Sequence, residues 1–322
     1  MRVFLTGGTG FIGGAVARQL RDAGHEVTAL VRDPARAKPL ADIGVELVRG
    51  DLSSREVIES AAAGADAAIH GAAIYKVGVP ASEAVQLRRT NIDGTESALE
   101  ALLAAHVPRI VYISTVGVFG DTAGVIVDES APLATAPFGS VYEESKVVAH
   151  RIAQAYVAEG APIVTVQPSA VYGPNDHSEI GDMFRRAAAG TLPALPFGDL
   201  GITLVHVDDV AAGVILAMDR GAVGESYILS SDDHVRVKDV VAKAAALGGK
   251  QPPRLSVPSG LLRALAPVGR LIGPLAGMPP NLRELVDASD GVTYWAQPGK
   301  ARDALDYHPR SLADGLRSAV AI

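Results

Sequence analysis

Short apolar runs recur along the first half of the chain, each followed by a longer amphipathic stretch. Residues 2–6 (RVFLT), 25–31 (HEVTALV), 45–50 (VELVRG), 65–70 (ADAAIH), 109–115 (RIVYIST) and 162–167 (PIVTVQ) have the length and apolar content of buried strands. Helical spacing predicts helices over 11–23, 82–106 and 140–159, with Gly24 closing the first. Apolar strands alternating with helices imply right-handed crossovers and a parallel sheet covered on both faces. The ligand crevice of such a sheet lies at the carboxyl ends of its strands.

After Gln167 the rhythm loosens and prolines multiply, at 168, 174, 193 and 196 and again from 252 to 280. A strand near 202–207 and a helix from Asp208 to Met218 still read as parts of the sheet domain. The expected fold is therefore α/β: a doubly wound parallel sheet of the Rossmann type with a smaller, mostly helical substrate lobe. The expected division is 1–174, with 201–230 returning to it, against 175–200 and 231–322.

The chain has 322 residues, enough for two such lobes. Its 36 acids against 29 bases give a net charge of −7, which argues against a nucleic-acid partner needing a basic field. It has no cysteine, which excludes disulfides, thiol nucleophiles and thiolate metal sites and fits a cytoplasmic location. The N-terminus lacks the apolar core of a signal peptide. The apolar stretch 257–280 is interrupted by Arg263, Pro267, Gly269, Arg270 and Pro274, so a packed helix is expected there and no membrane span. His70, His177 and His206 are not at metal spacing, so no metal is expected.

Three groups of residues carry chemistry. The first is Thr6-Gly7-Gly8-Thr9-Gly10-Phe11-Ile12-Gly13, between a strand and a helix. Glycines at 7, 10 and 13 allow a tight turn and close approach of backbone to a pyrophosphate, whose charge the helix N-terminus favours. The second is the end of the next strand, Val31-Arg32-Asp33, where an Arg suits a 2′-phosphate and a carboxylate would suit a ribose hydroxyl. Arg32, with Arg36 or Lys38 as a second cation, favours NADP(H) over NAD(H). The third is Tyr142-Glu143-Glu144-Ser145-Lys146, which puts a phenol and an ammonium on one helical face. A nearby lysine charge is expected to lower the phenol's pKa and ready it for proton exchange. The hydroxyls of Ser114-Thr115 end the fifth strand beside it.

In this order the motifs resemble the extended short-chain dehydrogenase/reductase family, also called the NAD-dependent epimerase/dehydratase family. The resemblance extends over nearly the whole chain. It implies that residues 6–13 hold the pyrophosphate, Asp51 and Leu52 the adenine, and Ala72 and Ala73 the nicotinamide side. It assigns the acid/base to Tyr142, the ribose-binding cation to Lys146, the substrate-oxygen donor to Thr115 (Ser114 the second choice) and a proton-relay role to Asn91. Gln167-Pro168-Ser169-Ala170-Val171-Tyr172-Gly173-Pro174 is similar to a segment that places Pro168 and Val171 against the cofactor. Tyr75, Val116 and His177 are expected at the substrate. Sugar-nucleotide epimerases have an Arg-Asp pair where this chain has Ile202-Thr203. The second-strand end resembles instead the dihydroflavonol-reductase and 3β-hydroxysteroid-dehydrogenase branch. The resemblance thus implies a homodimeric reductase or dehydrogenase acting on a moderately apolar carbonyl or secondary alcohol. A sugar-nucleotide epimerase or dehydratase is the alternative, and a cofactor sensor without catalysis a third class.

Overall fold

The computed structural model describes residues 1–268 and 279–320. Seven parallel strands form the central sheet: β1 (Arg2–Thr6), β2 (Glu26–Val31), β3 (Glu46–Arg49), β4 (Ala67–His70), β5 (Ile110–Ile113), β6 (Ile163–Pro168) and, further along the chain, β10 (Ser226–Leu229). Their spatial order is β10-β6-β5-β4-β1-β2-β3. The order reverses between β1 and β4, where Thr6 is paired with Leu30 on one side and His70 on the other. That reversal opens the crevice in which a sheet of this kind binds its ligand.

Both faces of the sheet are apolar because helices cover both. Val3, Leu5, Ile69, Val111 and Val164 point to one face, with Val16 and Leu20 of α1 (Phe11–Asp22) and Val210 and Val214 of α8 (Val207–Arg220). Phe4, Ala68, Ile110, Tyr112 and Ile163 point to the other. They meet Ile58 of α3 (Arg55–Ala62), Leu99 and Leu102 of α5 (Gly94–Ala104), and Ala149 and Ala153 of α6 (Val141–Ala158). Ser140 caps α6, its hydroxyl accepting from the Glu143 N–H at 3.0 Å, and Glu143 and Glu144 complement the dipole of that first turn. A cap at this point fixes where Tyr142 and Lys146 stand on the helix.

Two expectations need correction. The helix expected over 82–106 is α4 (Ala81–Arg88) joined to α5 by a π-helical turn, Arg89–Asp93. Such turns insert a residue and redirect a side chain, and here the side chain is that of Asn91. The strand expected near 202–207 forms as β9 (Gly201–His206) but does not join the central sheet. It pairs with β7 (Ala170–Tyr172), β11 (His234–Arg236) and β13 (Thr293–Tyr294) in a separate sheet. The sequence signal could not tell one sheet from the other, because β9 is buried along its whole length in either case. The partner of β6 is instead β10, for which the apolar pattern gave no separate prediction.

A second core lies around β9. Phe184 of α7 (Glu179–Ala189), Val240 and Val241 of α9 (Val237–Leu247), and Leu312 and Leu316 of the C-terminal helix Leu312–Ala319 close over Tyr172 and Leu204. Among the described residues no helix is long and apolar enough to cross a membrane. Residues 269–278, the middle of the apolar stretch 257–280, lie outside the described residues.

The C-terminal helix reaches this core only because Gly315 faces Tyr172. A Cβ at 315 would stand 2.0 Å from the Tyr172 hydroxyl oxygen, and Tyr172 is buried. Gly315→Ala is expected to destabilise the protein by about 2 kcal/mol through overpacking, read as a lower denaturation midpoint. An unchanged midpoint would contradict the tight contact.

Candidate active site

The glycine loop leaves no room for side chains. Gly7 has φ +80°, and a Cβ there would lie 2.7 Å from the Ala72 nitrogen. A Cβ on Gly13 would lie 2.1 Å from the Gly7 carbonyl oxygen. The loop is closed by the Gly10 N–H donating to that same carbonyl at 2.9 Å. Gly10 caps α1 without a side chain, so the first amides of the helix, at Phe11, Ile12 and Gly13, have no side-chain partner at the cap. Free amides, a helix dipole and a cradle that any Cβ would fill fit a dinucleotide pyrophosphate.

At the far end of the crevice Arg32 is exposed beyond β2. Its neighbours are engaged: Asp33 accepts from the Ala35 N–H at 3.0 Å and pairs with Arg36 at 3.5 Å, and Lys38 pairs with Asp42 at 2.6 Å. Arg36 and Lys38, the expected second cations, are thus tied to carboxylates. Arg32 has no ion-pair partner among the described residues. Asp51 accepts from the Ser53 hydroxyl and N–H, which hold its carboxyl below the usual range. Leu52 packs on Gly94, where a Cβ would lie 2.7 Å from Cδ1 of the leucine.

The chemistry gathers at the ends of β4 and β5. Ser114 is buried and turns away, its hydroxyl 2.9 Å from His150 Nδ1. Thr115 turns the other way, and its hydroxyl oxygen accepts from the Gly117 N–H at 3.1 Å. That hydroxyl also faces the Tyr142 phenol and favours its ionised form. Burial dominates nevertheless, and with Tyr75 and Tyr112 nearby it raises the Tyr142 pKa above the ordinary value. The expectation that Lys146 lowers it is not met, because the ammonium turns toward β5. Lys146 Nζ donates to the Ile113 carbonyl at 3.1 Å and reaches the Tyr112 hydroxyl at 3.5 Å. Burial brings its pKa down to about 8. Tyr142 is therefore protonated at neutral pH.

Asn91, at 1% exposure, spends its side chain on structure. Its Oδ1 accepts from the Ile74 N–H at 2.7 Å, and its Nδ2 donates to the Ile74 carbonyl at 2.9 Å and to the Ser145 hydroxyl at 3.0 Å. It clamps the segment after β4 to the helix that carries Tyr142. That segment brings Tyr75 edge-on to Tyr142, with ring centroids 4.8 Å apart. Ala72 follows directly against the glycine loop, and Ala73 is exposed beside it. Pro168 ends β6 in the interior, and Val171 packs half-buried on the sheet core. Val116 is buried in a small cluster with Val118, Phe119 and Val147, whereas His177 is exposed on the segment following β7.

Several buried polar residues that the sequence does not single out connect these parts. The Thr95 hydroxyl donates to the Asn91 carbonyl at 2.7 Å, so it accepts from His70 Nε2 at 3.2 Å. Burial brings the His70 pKa down to about 3, so the ring is neutral and its Nδ1 accepts from the Thr6 hydroxyl at 2.8 Å. One directed chain thus runs from the glycine loop to the π-helical turn. Helical spacing in α5 and strand alternation in β5 could have placed Thr95 and Tyr112 on buried faces, but neither periodicity distinguishes a polar network from a core.

Gly13→Ala is expected to weaken dinucleotide binding at least about tenfold, roughly 1.4 kcal/mol, because the methyl group displaces the Gly7 carbonyl. Titration with reduced nicotinamide dinucleotide, followed by its fluorescence, measures this.

The profile of the NAD dependent epimerase/dehydratase family matches residues 3–230. A Synechocystis sp. protein, named provisionally as a dihydroflavonol 4-reductase, is 33% identical over 90% of this chain and 88% of its own. A Stigmatella aurantiaca ketoreductase of a farnesylated dihydroquinoline oxide is 30% identical over 84% of this chain and 80% of its own. The crystal structure of gox2253 superposes with a TM-score of 0.84 at 32% identity, covering 99% of this chain and 96% of that one. The fold of a UDP-glucose-4-epimerase from Stenotrophomonas maltophilia also matches, with a TM-score of 0.81 at 22% identity, over 100% of this chain and 97% of that one. The chain belongs to the NAD-dependent epimerase/dehydratase family, the extended short-chain dehydrogenases/reductases, and is an NAD(P)-dependent enzyme of that class.

Proposed function

We propose that this enzyme uses NADP(H) to interconvert a carbonyl and a secondary alcohol on a moderately apolar small molecule. The reading is supported by the Thr115 hydroxyl beside the Tyr142 phenol, with the Lys146 ammonium against the Ile113 carbonyl at the end of β5 and the glycine cradle beyond. The bound nicotinamide supplies hydride transfer. Tyr142, held protonated, donates its proton to the carbonyl oxygen in reduction and takes it back in oxidation. With the Gly117 N–H on its oxygen, Thr115 keeps its O–H free to donate to the same substrate oxygen. Lys146, its ammonium at the end of β5, holds the ribose hydroxyls. Asn91 keeps the segment with Ile74 and Tyr75 registered against α6.

Names of the relatives favour reduction and dehydrogenation, among them a 3 beta-hydroxysteroid dehydrogenase/isomerase of Mycobacterium tuberculosis at 28% identity. An epimerase acting on a nucleotide sugar is the second reading, drawn from the shared fold. Against it, Ile202 and Thr203 are buried within β9, and the Thr203 hydroxyl accepts from the Ala296 N–H, so this position offers no cation to a diphosphate. A cytoplasmic homodimer belongs to the same reading; the dimer is drawn from the family resemblance, and the lack of cysteine fits a reducing compartment.

The test begins with NADPH and NADH titrations, after which each complex is offered aromatic and alicyclic ketones and aldehydes. Substrate-dependent oxidation of NADPH is the expected result. Binding without turnover of any carbonyl would move the assignment to nucleotide sugars or to a sensor. Tyr142→Phe should lower kcat by about 10²–10⁴ while leaving the cofactor Kd within about twofold. Arg32→Ser should weaken NADPH about tenfold and leave NADH unchanged, because only the former carries the phosphate that a guanidinium pairs.

A further inference from the structure

Lys146 is 4% exposed and carries an ammonium, yet no carboxylate among the described residues pairs with it. Buried charges are ordinarily paired with opposite charges. The groups facing it are neutral ones from three elements. β5 presents the Ile113 carbonyl and the Tyr112 side chain, β4 presents His70, and α6 itself presents His150. Both imidazoles are held neutral, chiefly by burial and secondarily by the Lys146 charge, His70 down to about 3 and His150 to about 4. Lys146 is thus the single charge of the cluster.

Tyr112 meets that charge twice. Its hydroxyl is 3.5 Å from Nζ, and its ring centroid is 5.2 Å from it, within reach of a cation–π contact. The phenol is itself anchored. It is 1% exposed, it stacks on His70 with centroids 5.9 Å apart, and Thr95 and Ser114 hydroxyls lie beside its own. A phenol oxygen facing an ammonium accepts, so here the Tyr112 oxygen is the acceptor and Lys146 the donor. Of the three ammonium hydrogens, one goes to Ile113 and one toward Tyr112, which leaves the third for the crevice.

We propose that Tyr112 is the positioning residue for Lys146, its hydroxyl and ring face together seating the ammonium in place of a carboxylate. Tyr112 touches neither substrate nor cofactor in this arrangement and acts through the lysine. A neutral seat keeps the charge available for an anionic ligand, where a carboxylate would neutralise it. The catalytic consequence rests on the function proposed above, but the seat itself does not.

The test reads the lysine directly. In protein labelled with [ε-¹³C]lysine, the Lys146 signal is assigned by its absence in K146R and titrated by NMR in the cofactor-free enzyme. The wild-type midpoint is expected near 8. Tyr112→Phe keeps the ring and removes the acceptor, and should lower the midpoint by about one pH unit, a tenfold change in the protonation equilibrium. Tyr112→Leu removes both contacts and should lower it further, and thermal unfolding confirms that each variant is folded. An unchanged midpoint in the folded Phe variant overturns the proposal. The alkaline limb of kcat/KM should move to lower pH with the midpoint. A midpoint that moves while the limb stays would support the seat and overturn the placing of Lys146 in the reaction.

Discussion

The peptide between Gly71 and Ala72 lies directly beneath Gly7, and much of the site depends on that contact. Here the loop after β1 and the loop after β4 leave the sheet side by side, at the point where strand order reverses. A Cβ on Gly7 would fall within 3 Å of three backbone atoms of this peptide. The contact sets the height of the glycine cradle above the sheet. It also sets where Ile74 and Tyr75 emerge, and through Asn91 it is tied to the register of α6. The glycine loop and the helix that carries Tyr142 are far apart in sequence, yet one run of backbone fixes both.

The polar groups under this contact behave as a frame. Thr6, His70, Thr95 and the Asn91 carbonyl form a chain in which each donor has one acceptor. Tyr112, Ser114 and His150 continue the polar cluster on the α6 side. A fully paired buried network restricts its members to one arrangement, since any shift leaves a buried group unpaired. In such a frame the neutral state of His70 sets the direction of the chain: a protonated ring would donate at both nitrogens, and the Thr6 hydroxyl would have to turn and accept.

The strands and the motifs were legible because each has a local physical signature. β1 and β6 are built on short apolar runs, Val3-Phe4-Leu5 and Ile163-Val164, and the Gly7–Gly13 spacing allows few backbone paths. Tyr142 and Lys146 were placed on one helical face by their spacing of four. What the sequence could not carry was direction in space. Tyr–Lys spacing puts two side chains on one face, but it does not say that the ammonium bends under the helix to β5 while the phenol stays beside Thr115. The π-helical turn at Asn91 was hidden for a similar reason, since one extra residue in a helix leaves apolar spacing nearly intact. Ser114 and Thr115 are adjacent hydroxyls, and only the local path of the chain decides between them: Ser114 is still extended and inward, whereas Thr115 caps the turn that follows.

Charge along the crevice follows a rule different from that of the whole molecule. The chain carries a net charge of −7, so a dinucleotide approaches a protein of its own sign. Within a Debye length of about 8 Å, however, local groups decide the field. The positive groups there are the uncapped start of α1, Arg32 and the Lys146 ammonium. The two nearby carboxylates are committed elsewhere, Asp33 to Ala35 and Arg36, and Asp51 to Ser53. Both acids are therefore partly satisfied by protein donors, while Arg32 has no ion-pair partner among the described residues and Lys146 is seated by neutral groups. That asymmetry lets an acidic protein present a positive track to a polyanion. It also explains why burial of an unpaired lysine, costly by itself, is tolerated in this one place: a carboxylate partner for Lys146 would stabilise the empty site and weaken the track.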